Sequence, residues 1–599
     1  MPDAPASPPP ARSPRRGGSL AVLRGYLGPL KWQVAGLAAL LLSATGLSLA
    51  LPQLLARFVD TVRLGADADV GRLLRLAGFY LALAVGVQLL NAGATYLGAR
   101  VGWAATNRLR VDLLRHLLSL DMREHKERTP GEMIERIDGD VTALSNFFSQ
   151  FAVRVFGAAL LLTGAVVMFY LTDVRVGLGV TAFVLFTLWA MNRVRKLGVE
   201  PTRLEREGSA RLFGYIEERL AGLEDVRSLG AGGHHLRGFL RVQGDFFRRA
   251  THSWQRRSVV WWLSMVLFAV GYVGILASAI GLYAAGAVTL GTAFLLYQYM
   301  SMVEEPIDQL TQQLQDLQKA GASLGRISEL LALRSGLPQG ERELPSGPLD
   351  LRFENVVFRY DPQDPTAPAV LRGVTFHLPA GQTLGLLGRT GSGKTTLTRL
   401  VSRLYDPTGG HVRLGGLDTR DLRLESLRSR VAVVTQDVQL FQASVRDNLT
   451  FFDPALPDEV VEAALREVGL SEWLSRLPDG VRTPLPTGSL SAGQAQLLAF
   501  ARVMLRDPAV VILDEPSSRL DPATEVQLTR AMTRLLAGRT AIVIAHRLDT
   551  VARADRIVVL DAGRVVEDGP RAVLAADGGS HYAALLRAGA LAEGGGVLA

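Results

Sequence analysis

The sequence has no cysteine among its 599 residues. Disulfides, thiolate metal sites and cysteine-protease chemistry are therefore excluded. Behind its first residues it also lacks the short apolar core and small-residue cleavage site of a secretory signal. Residues 1–18, MPDAPASPPPARSPRRGG, are rich in Pro, Ala and Arg without apolar periodicity, and read as a disordered cytoplasmic tail. The first long apolar run is accordingly expected to stay in the membrane. A third shortage is regional: long apolar runs are missing from the second half. Hydrophobic residues make up 48% of the chain and mean hydropathy is +0.20, yet this excess is concentrated before about Gln309 and thins after Ser335. The length exceeds one ordinary domain, and the asymmetry suggests a membrane half joined to a soluble half.

Six stretches are long and apolar enough to cross a bilayer, which takes about 20 residues at helical rise. They lie near Leu30–Leu54, Leu73–Leu97, Phe151–Leu171, Val174–Val194, Val259–Tyr283 and Leu290–Gln309. Two connections are long, Ala99–Gln150 and Arg195–Ser258, and read as helix from Leu recurring at three- and four-residue steps. They also hold most of the positive charge, including Arg100, Arg108, Arg110, Arg115, Arg123 and Lys126. The outer loops are nearly neutral, with Arg57, Arg63 and Arg72 set against Asp60, Asp67 and Asp69. Positive residues favour the inner side, so both termini and both long loops are expected in the cytoplasm. The net charge of +8 is thereby assigned to cytoplasmic loops and anionic headgroups rather than to nucleic acid. Six buried helices of a large soluble protein are the alternative; soluble cores rarely need six runs of this length.

Past the sixth run, Met300–Leu333 continues as a Gln-rich helix that should protrude from the membrane, and Gly and Pro mark Ser335–Pro348 as a linker. Beyond it, the short β-rich runs Leu384–Leu387, Val431–Val434, Val510–Leu513 and Ala541–Ile544 alternate with helical stretches. That pattern predicts an α/β domain with a largely parallel sheet. The expected boundaries are a tail at 1–18, a membrane domain at 19–335, a linker at 336–349, an α/β domain at 350–588 and a tail at 589–599.

Gly388-Arg389-Thr390-Gly391-Ser392-Gly393-Lys394-Thr395, with Thr396 next, fits G-x-x-x-x-G-K-[ST] directly after a strand. Its glycines let backbone N–H groups curl around phosphate oxygens while the following helix points its positive end at the same place. Lys394 should reach the β- and γ-phosphates, and the Thr395 hydroxyl should bind Mg²⁺. Val510–Leu513 is an apolar strand ending in Asp514 and Glu515, whose side chains alternate in direction and so can take separate jobs. Asp514 is the candidate for Mg²⁺ and Glu515 the candidate general base for the attacking water, a role worth roughly 10²–10⁴-fold.

Leu490-Ser491-Ala492-Gly493-Gln494, upstream of that strand, is similar to the LSGGQ signature of ABC ATPases. With the phosphate loop, the acidic strand end and the six spans, the chain resembles a bacterial ABC half-transporter of the multidrug and lipid exporter class, from about Leu20 to Arg587. The resemblance implies a fold of six transmembrane helices with long cytosolic extensions followed by a P-loop ATPase domain. It implies that Tyr360 stacks on adenine, that Gln436 touches Mg²⁺ and senses the membrane domain, that Asp521 communicates across a dimer, and that His546 contacts the γ-phosphate. Ser491, Gly493 and Gln494 would face the ATP held by a second subunit, so the partner is a second half-transporter. Segments near Asp121–Arg128 and Arg211–Ile216 are the implied coupling helices. ATP and Mg²⁺ are the implied cofactors, and membrane lipid and a hydrophobic or amphipathic cargo the other partners.

Two features depart from the family pattern. Ala492 replaces the first of the two usual glycines of the signature, and its methyl would crowd a closed interface. The preceding Thr483–Ser489 is short and lacks the usual glutamate. With Lys394, Asp514, Glu515 and His546 intact, this combination resembles the catalytically complete subunit of a heterodimer, favoured over a homodimer. A regulatory ATP-binding subunit and an ATP-gated channel are the other readings; the intact Glu515 and His546 oppose the first, and the lack of a charged ring within the spans opposes the second. Gln88, Asn91, Thr95 and Gln298 within the spans are expected to face a cavity, and Glu304 and Glu305 either attract cationic amphiphiles or are solvated or ion-paired.

Overall fold

A computed structural model describes residues 24–63, 69–195, 198–362, 364, 366–486, 488–514, 522–544 and 551–594. The tail expected at 1–18 and the assigned Glu515, Asp521 and His546 lie outside the described residues. By internal packing the chain divides into two units. One takes in residues up to 118 together with 130–333; the other takes in 119–129 together with 334 onward.

The first unit is helical. Its long helices are α1 Lys31–Val62, α2 Val70–Ser119, α3 Gly157–Thr172, α4 Val174–Arg195, α5 Gly232–Ala284 and α6 Leu290–Ala332. Both long connections are helical, as their leucine spacing implies: α2 and α5 run well past the apolar stretch that each contains, and Val199–Ala221 is a further helix. Asp173 alone separates α3 from α4, and its carboxylate caps the new helix by accepting from the Arg175 N–H at 2.8 Å. Gly286, at φ 68°, turns the chain between α5 and α6. All six apolar runs form helix, and they differ in apolarity. Among the described residues five helices are long and apolar enough to cross a membrane. The sixth run does form helix α6, but Gln298, Glu304 and Glu305 dilute its apolar stretch.

Small residues let these helices approach closely. A methyl group on Gly271 would meet Met300 at 2.5 Å and Phe183 at 2.7 Å, and one on Gly164 would meet Leu49 at 2.4 Å. Phe169, Tyr299, Met300, Val303 and Ile307 are buried together at the centre of this packing.

The second unit contains two sheets. A six-stranded sheet has the order β10-β9-β3-β8-β7-β6 and a four-stranded sheet the order β2-β1-β4-β5. Their strands are β1 Leu351–Phe358, β2 Leu371–Leu378, β3 Thr383–Gly388, β4 Gly409–Leu414, β5 Leu417–Asp418, β6 Val431–Val434, β7 Val510–Asp514, β8 Thr540–Ile544, β9 Arg556–Asp561 and β10 Arg564–Pro570. Strands β6, β7, β8, β3 and β9 are mutually parallel, and β10 is antiparallel to β9. Apart from Val433 on the edge strand β6, the parallel strands are largely buried and read as mostly apolar runs. The smaller sheet is antiparallel throughout, and no apolar run announces it, because its strands alternate buried and exposed residues. The final helix, His581–Gly594, continues past residue 588, where the sequence alone suggests a tail.

The short helix Met122–Glu127 lies by sequence between α2 and the helices that lead to α3, yet it packs in the second unit. Asp121 caps it, accepting from the backbone N–H groups of Arg123 and Glu124. The same carboxylate accepts from the Gly336 N–H at 2.6 Å. Arg342, in the linker, donates its N–H to the Asp421 carbonyl at 3.0 Å, so that linker is pinned as well as extended.

Candidate functional site

Register across the parallel sheet decides which loops meet. Leu386 of β3 is level with Ile544 of β8, and Ile544 is level with Asp514 of β7. Leu513 is level with Val434 of β6. The chain therefore leaves β3, β6, β7 and β8 at one edge. That edge gathers the loop after Gly388, Gln436 two residues past β6, and Asp514. In open parallel sheets, ligands bind outside the carboxyl ends of the strands. Glu515 and His546 follow β7 and β8, but lie outside the described residues.

The loop from Gly388 to Gly393 has a backbone that side chains would obstruct. Gly388, Gly391 and Gly393 adopt φ of 150°, 83° and 106°. A Cβ on Gly388 would meet the Leu560 carbonyl oxygen at 2.3 Å, and one on Gly393 would meet Leu371 at 2.7 Å. The motif's glycines are thus required by the loop's shape as well as by the room that phosphate needs. The loop opens α7, Lys394–Val401, whose first N–H groups have no helical partner and present a positive end.

Within that cradle, Lys394 is buried, and its ammonium donates to the carbonyls of Gly388 at 2.7 Å and Arg389 at 3.1 Å. The Ser392 hydroxyl is also buried, and has no hydrogen-bond partner among the described residues. A buried, unsatisfied hydroxyl beside a curled run of N–H groups suits an anionic oxygen. Arg389, Thr390 and Thr395 are exposed at the rim, whereas Thr396 is buried. Thr395, Gln436 and Asp514 supply a hydroxyl, an amide carbonyl and a carboxylate, the hard oxygen donors that Mg²⁺ prefers. Gln436 is exposed, and its backbone carbonyl accepts from Gln496 Nε2 at 2.9 Å.

Gln496 lies on α8, Ala492–Met504. Ser491 caps α8 with a reciprocal pair of bonds: its hydroxyl accepts from the Gln494 N–H at 3.2 Å, and its own N–H donates to Gln494 Oε1 at 3.0 Å. Gln494 thus shapes the turn that presents Ser491. Gly493 is buried, and Ala492 projects its methyl into solvent at the helix start. The Gln436–Gln496 tie joins the β6 loop to α8, and neither residue's neighbourhood in the sequence signals it.

Tyr360 follows β1 and is half-buried. Its hydroxyl is shared with Thr396 Oγ1 at 3.0 Å and accepts from Arg399 at 2.9 Å, so the ring is tied to α7 just beyond the phosphate loop. Phe358 and Tyr405 meet it edge-on at 4.9 and 5.3 Å. Burial pushes the Tyr405 phenol above its ordinary pKa, and its hydroxyl donates to the Met122 carbonyl at 3.5 Å. Arg123 pairs with Asp361 at 3.4 Å. Lys126 places its ammonium 4.1 Å from the centre of the Tyr360 ring. In the sequence Lys126 is one positive charge of the Asp121–Arg128 segment, and no pattern links it to a tyrosine so far along the chain.

Comparisons with known proteins agree with this arrangement. The family model described as ABC transporter matches residues 371–518, and that described as ABC transporter transmembrane region matches residues 35–307. The chain is 31% identical to an uncharacterized ABC transporter ATP-binding protein, YknV, of Bacillus subtilis, over 94% of each chain. It is 30% identical to an ATP-dependent lipid A-core flippase of Chromohalobacter salexigens, over 94% of this chain and 96% of the flippase. It is 32% identical to the multidrug efflux ATP-binding/permease protein Rv0194 of Mycobacterium tuberculosis, over 96% of this chain but 47% of that relative, about half its length. A solved structure of a bacterial Atm1-family ABC exporter with ATP bound has the same fold, with a TM-score of 0.79 at 24% identity, covering 93% of this chain and 99% of that one.

Proposed function

From the premise that the chain belongs to the ABC transporter family, with its transmembrane region and ATPase domain fused in one polypeptide, we propose that it exports or flips hydrophobic or amphipathic molecules as one half of a dimer. It is a multi-pass membrane protein and an ATP-hydrolysing transporter. The observation that carries the site assignment is the register that delivers the phosphate loop, Gln436 and Asp514 to one sheet edge.

In this reading the N–H groups from Gly388 to Thr396, the Ser392 hydroxyl and Lys394 hold the phosphates. Lys394 exchanges its loop carbonyls for phosphate oxygens, gaining charge-assisted bonds for neutral ones. Thr395, Gln436 and Asp514 hold Mg²⁺, which screens phosphate charge when bound. Tyr360 carries the adenine. Glu515, Asp521 and His546 keep the roles that the resemblance implies: general base, signal across the dimer and γ-phosphate contact. Ser491 and Gly493 face the ATP held by a second subunit. The Ser491 oxygen already accepts an N–H, so toward phosphate it acts as an O–H donor.

Support for a covered or cavity-lining face comes from α2. Gln88, Asn91 and Thr95 recur at three- and four-residue steps and are all exposed in the single chain. Polar groups on one face of a spanning helix line water or meet protein rather than lipid tails. The multidrug and lipid names of the relatives favour drug-like or lipid-like cargo. Glu304 accepts from the Tyr272 hydroxyl at 2.9 Å and Glu305 from Gln309 at 3.0 Å, which weakens the idea of a free acidic pair for cationic cargo. Ala492 supports a heterodimer, whose partner chain would form the second composite site. Arginine-rich connections support cytoplasmic placement of both termini and of the ATPase domain at the cell membrane. Co-purification from native membranes tests the pairing, and ATP-dependent uptake of dyes, peptides and labelled lipids by reconstituted vesicles tests the cargo. A second half-transporter in the complex is the expected result. A chain that hydrolyses ATP at full rate alone contradicts the heterodimer.

A further inference from the structure

The Lys126 ammonium stands 4.1 Å from the centre of the Tyr360 ring. A base stacked on a ring lies at nearly that height, so a cation and a base cannot share one face. The ring cannot easily turn away, because its hydroxyl is tied to Thr396 and Arg399 on α7. Lys126 is exposed, but the segment that carries it is anchored. Its six-residue helix is fastened at Asp121, which holds the Gly336 N–H, and at Arg123, which pairs with Asp361 next to Tyr360. The cation is therefore delivered to the ring by a segment that the sequence inserts between two membrane helices.

We infer that Lys126 guards the base-stacking face of Tyr360: the nucleotide-free protein keeps the ammonium on the ring, and an incoming adenine displaces it. Occupancy of the base site is thereby felt by the helix Met122–Glu127 independently of the γ-phosphate. The inference rests on the reading of Tyr360 as the adenine platform. The balance of the two contacts permits the exchange. A cation over an exposed aromatic ring is worth about two- to five-fold in an equilibrium constant, and a stacked base about 5- to 150-fold. The base wins, and the guard lowers its affinity by the smaller factor.

The sign of the effect makes this testable. Removing a positive charge near a polyphosphate ordinarily weakens binding. Removing a guard strengthens it. Full-length protein in nanodiscs would be titrated with ATP, ADP and inorganic triphosphate, without Mg²⁺ so that nothing turns over. Lys126→Met keeps the apolar stem and removes the charge. The expected result is about two- to five-fold tighter binding of both ATP and ADP, with triphosphate unchanged or weaker. In a Tyr360→Leu background, which itself should bind ATP about five-fold or more weakly, Lys126→Met should add no gain. If Lys126→Met leaves ATP unchanged or weaker while Tyr360→Leu weakens it, the guard is overturned and the stacking reading stands. If Tyr360→Leu leaves ATP affinity unchanged, the stacking reading falls and takes the guard with it.

Discussion

Lys394 and Gly388 are joined by a 2.7 Å hydrogen bond, ammonium to carbonyl, across the loop that the glycines bend. The contact holds the cation inside the cradle, buried and pointed along the loop, before any phosphate arrives. Lys394→Ala removes the charge that would bind the β- and γ-phosphates. A hydrogen bond to a charged group is worth about 1.5–3 kcal/mol, so ATP affinity should fall by about 10- to 150-fold. Equilibrium titration checks it, and unchanged affinity contradicts the placement.

Ala492 starts α8 one residue after the Ser491 cap, with its methyl exposed. A glycine there would relieve crowding against a second subunit without touching the capping bonds. Ala492→Gly in the chain purified alone should raise ATP turnover several-fold and leave nucleotide affinity nearly unchanged. Ser491→Ala breaks the cap at a cost of about 1 kcal/mol and should lower turnover instead. Steady-state ATPase assays distinguish the two, and equal turnover in Ala492→Gly and the parent removes the steric argument.

Asp418 supplies an acid-sensitive contact in the smaller sheet. Burial opposes its charge, but bonds from the Arg420 guanidinium at 2.7 Å and the Arg420 N–H at 3.0 Å prevail, with His411 Nδ1 at 2.6 Å. The carboxyl is held well below its ordinary pKa of 3.8. A folded-state pKa below the unfolded one contributes stability at higher pH that is lost as pH falls. The ATPase unit should therefore lose stability progressively as pH drops below about 4. Asp418→Asn should reduce stability at pH 7 by about 1–3 kcal/mol and flatten the acid limb. Thermal melts of the purified protein from pH 7 to 3 check both, and a parallel shift of parent and variant contradicts the assignment.

Much of this was legible in the sequence, for physical reasons that differ by element. The inner parallel strands β3, β7 and β8 are buried over most of their length and are mostly apolar, with Thr540 a buried polar exception, while the edge strand β6 exposes Val433. The phosphate loop was legible because its shape tolerates only glycine at Gly388 and Gly393. The smaller sheet was not: β1 and β2 alternate buried with exposed residues over short stretches that many folds share. The sixth apolar run is legible as helix from its length, although Gln298, Glu304 and Glu305 keep α6 below the apolarity of its neighbours. Contacts between segments distant in the chain left no trace. Gln436 with Gln496, Arg399 with Tyr360 and Lys126 with Tyr360 each depend on how the fold brings together residues whose local patterns are ordinary.

The most direct test of the whole account is ATP-dependent flux in vesicles that hold the complete dimer, compared between the parent and Glu515→Gln. The account predicts ATP-driven movement of a hydrophobic or amphipathic probe in the parent. In the variant it predicts flux reduced at least about 100-fold, as for loss of a general base, with ATP retained unhydrolysed on the protein. Undiminished flux in the variant would contradict it.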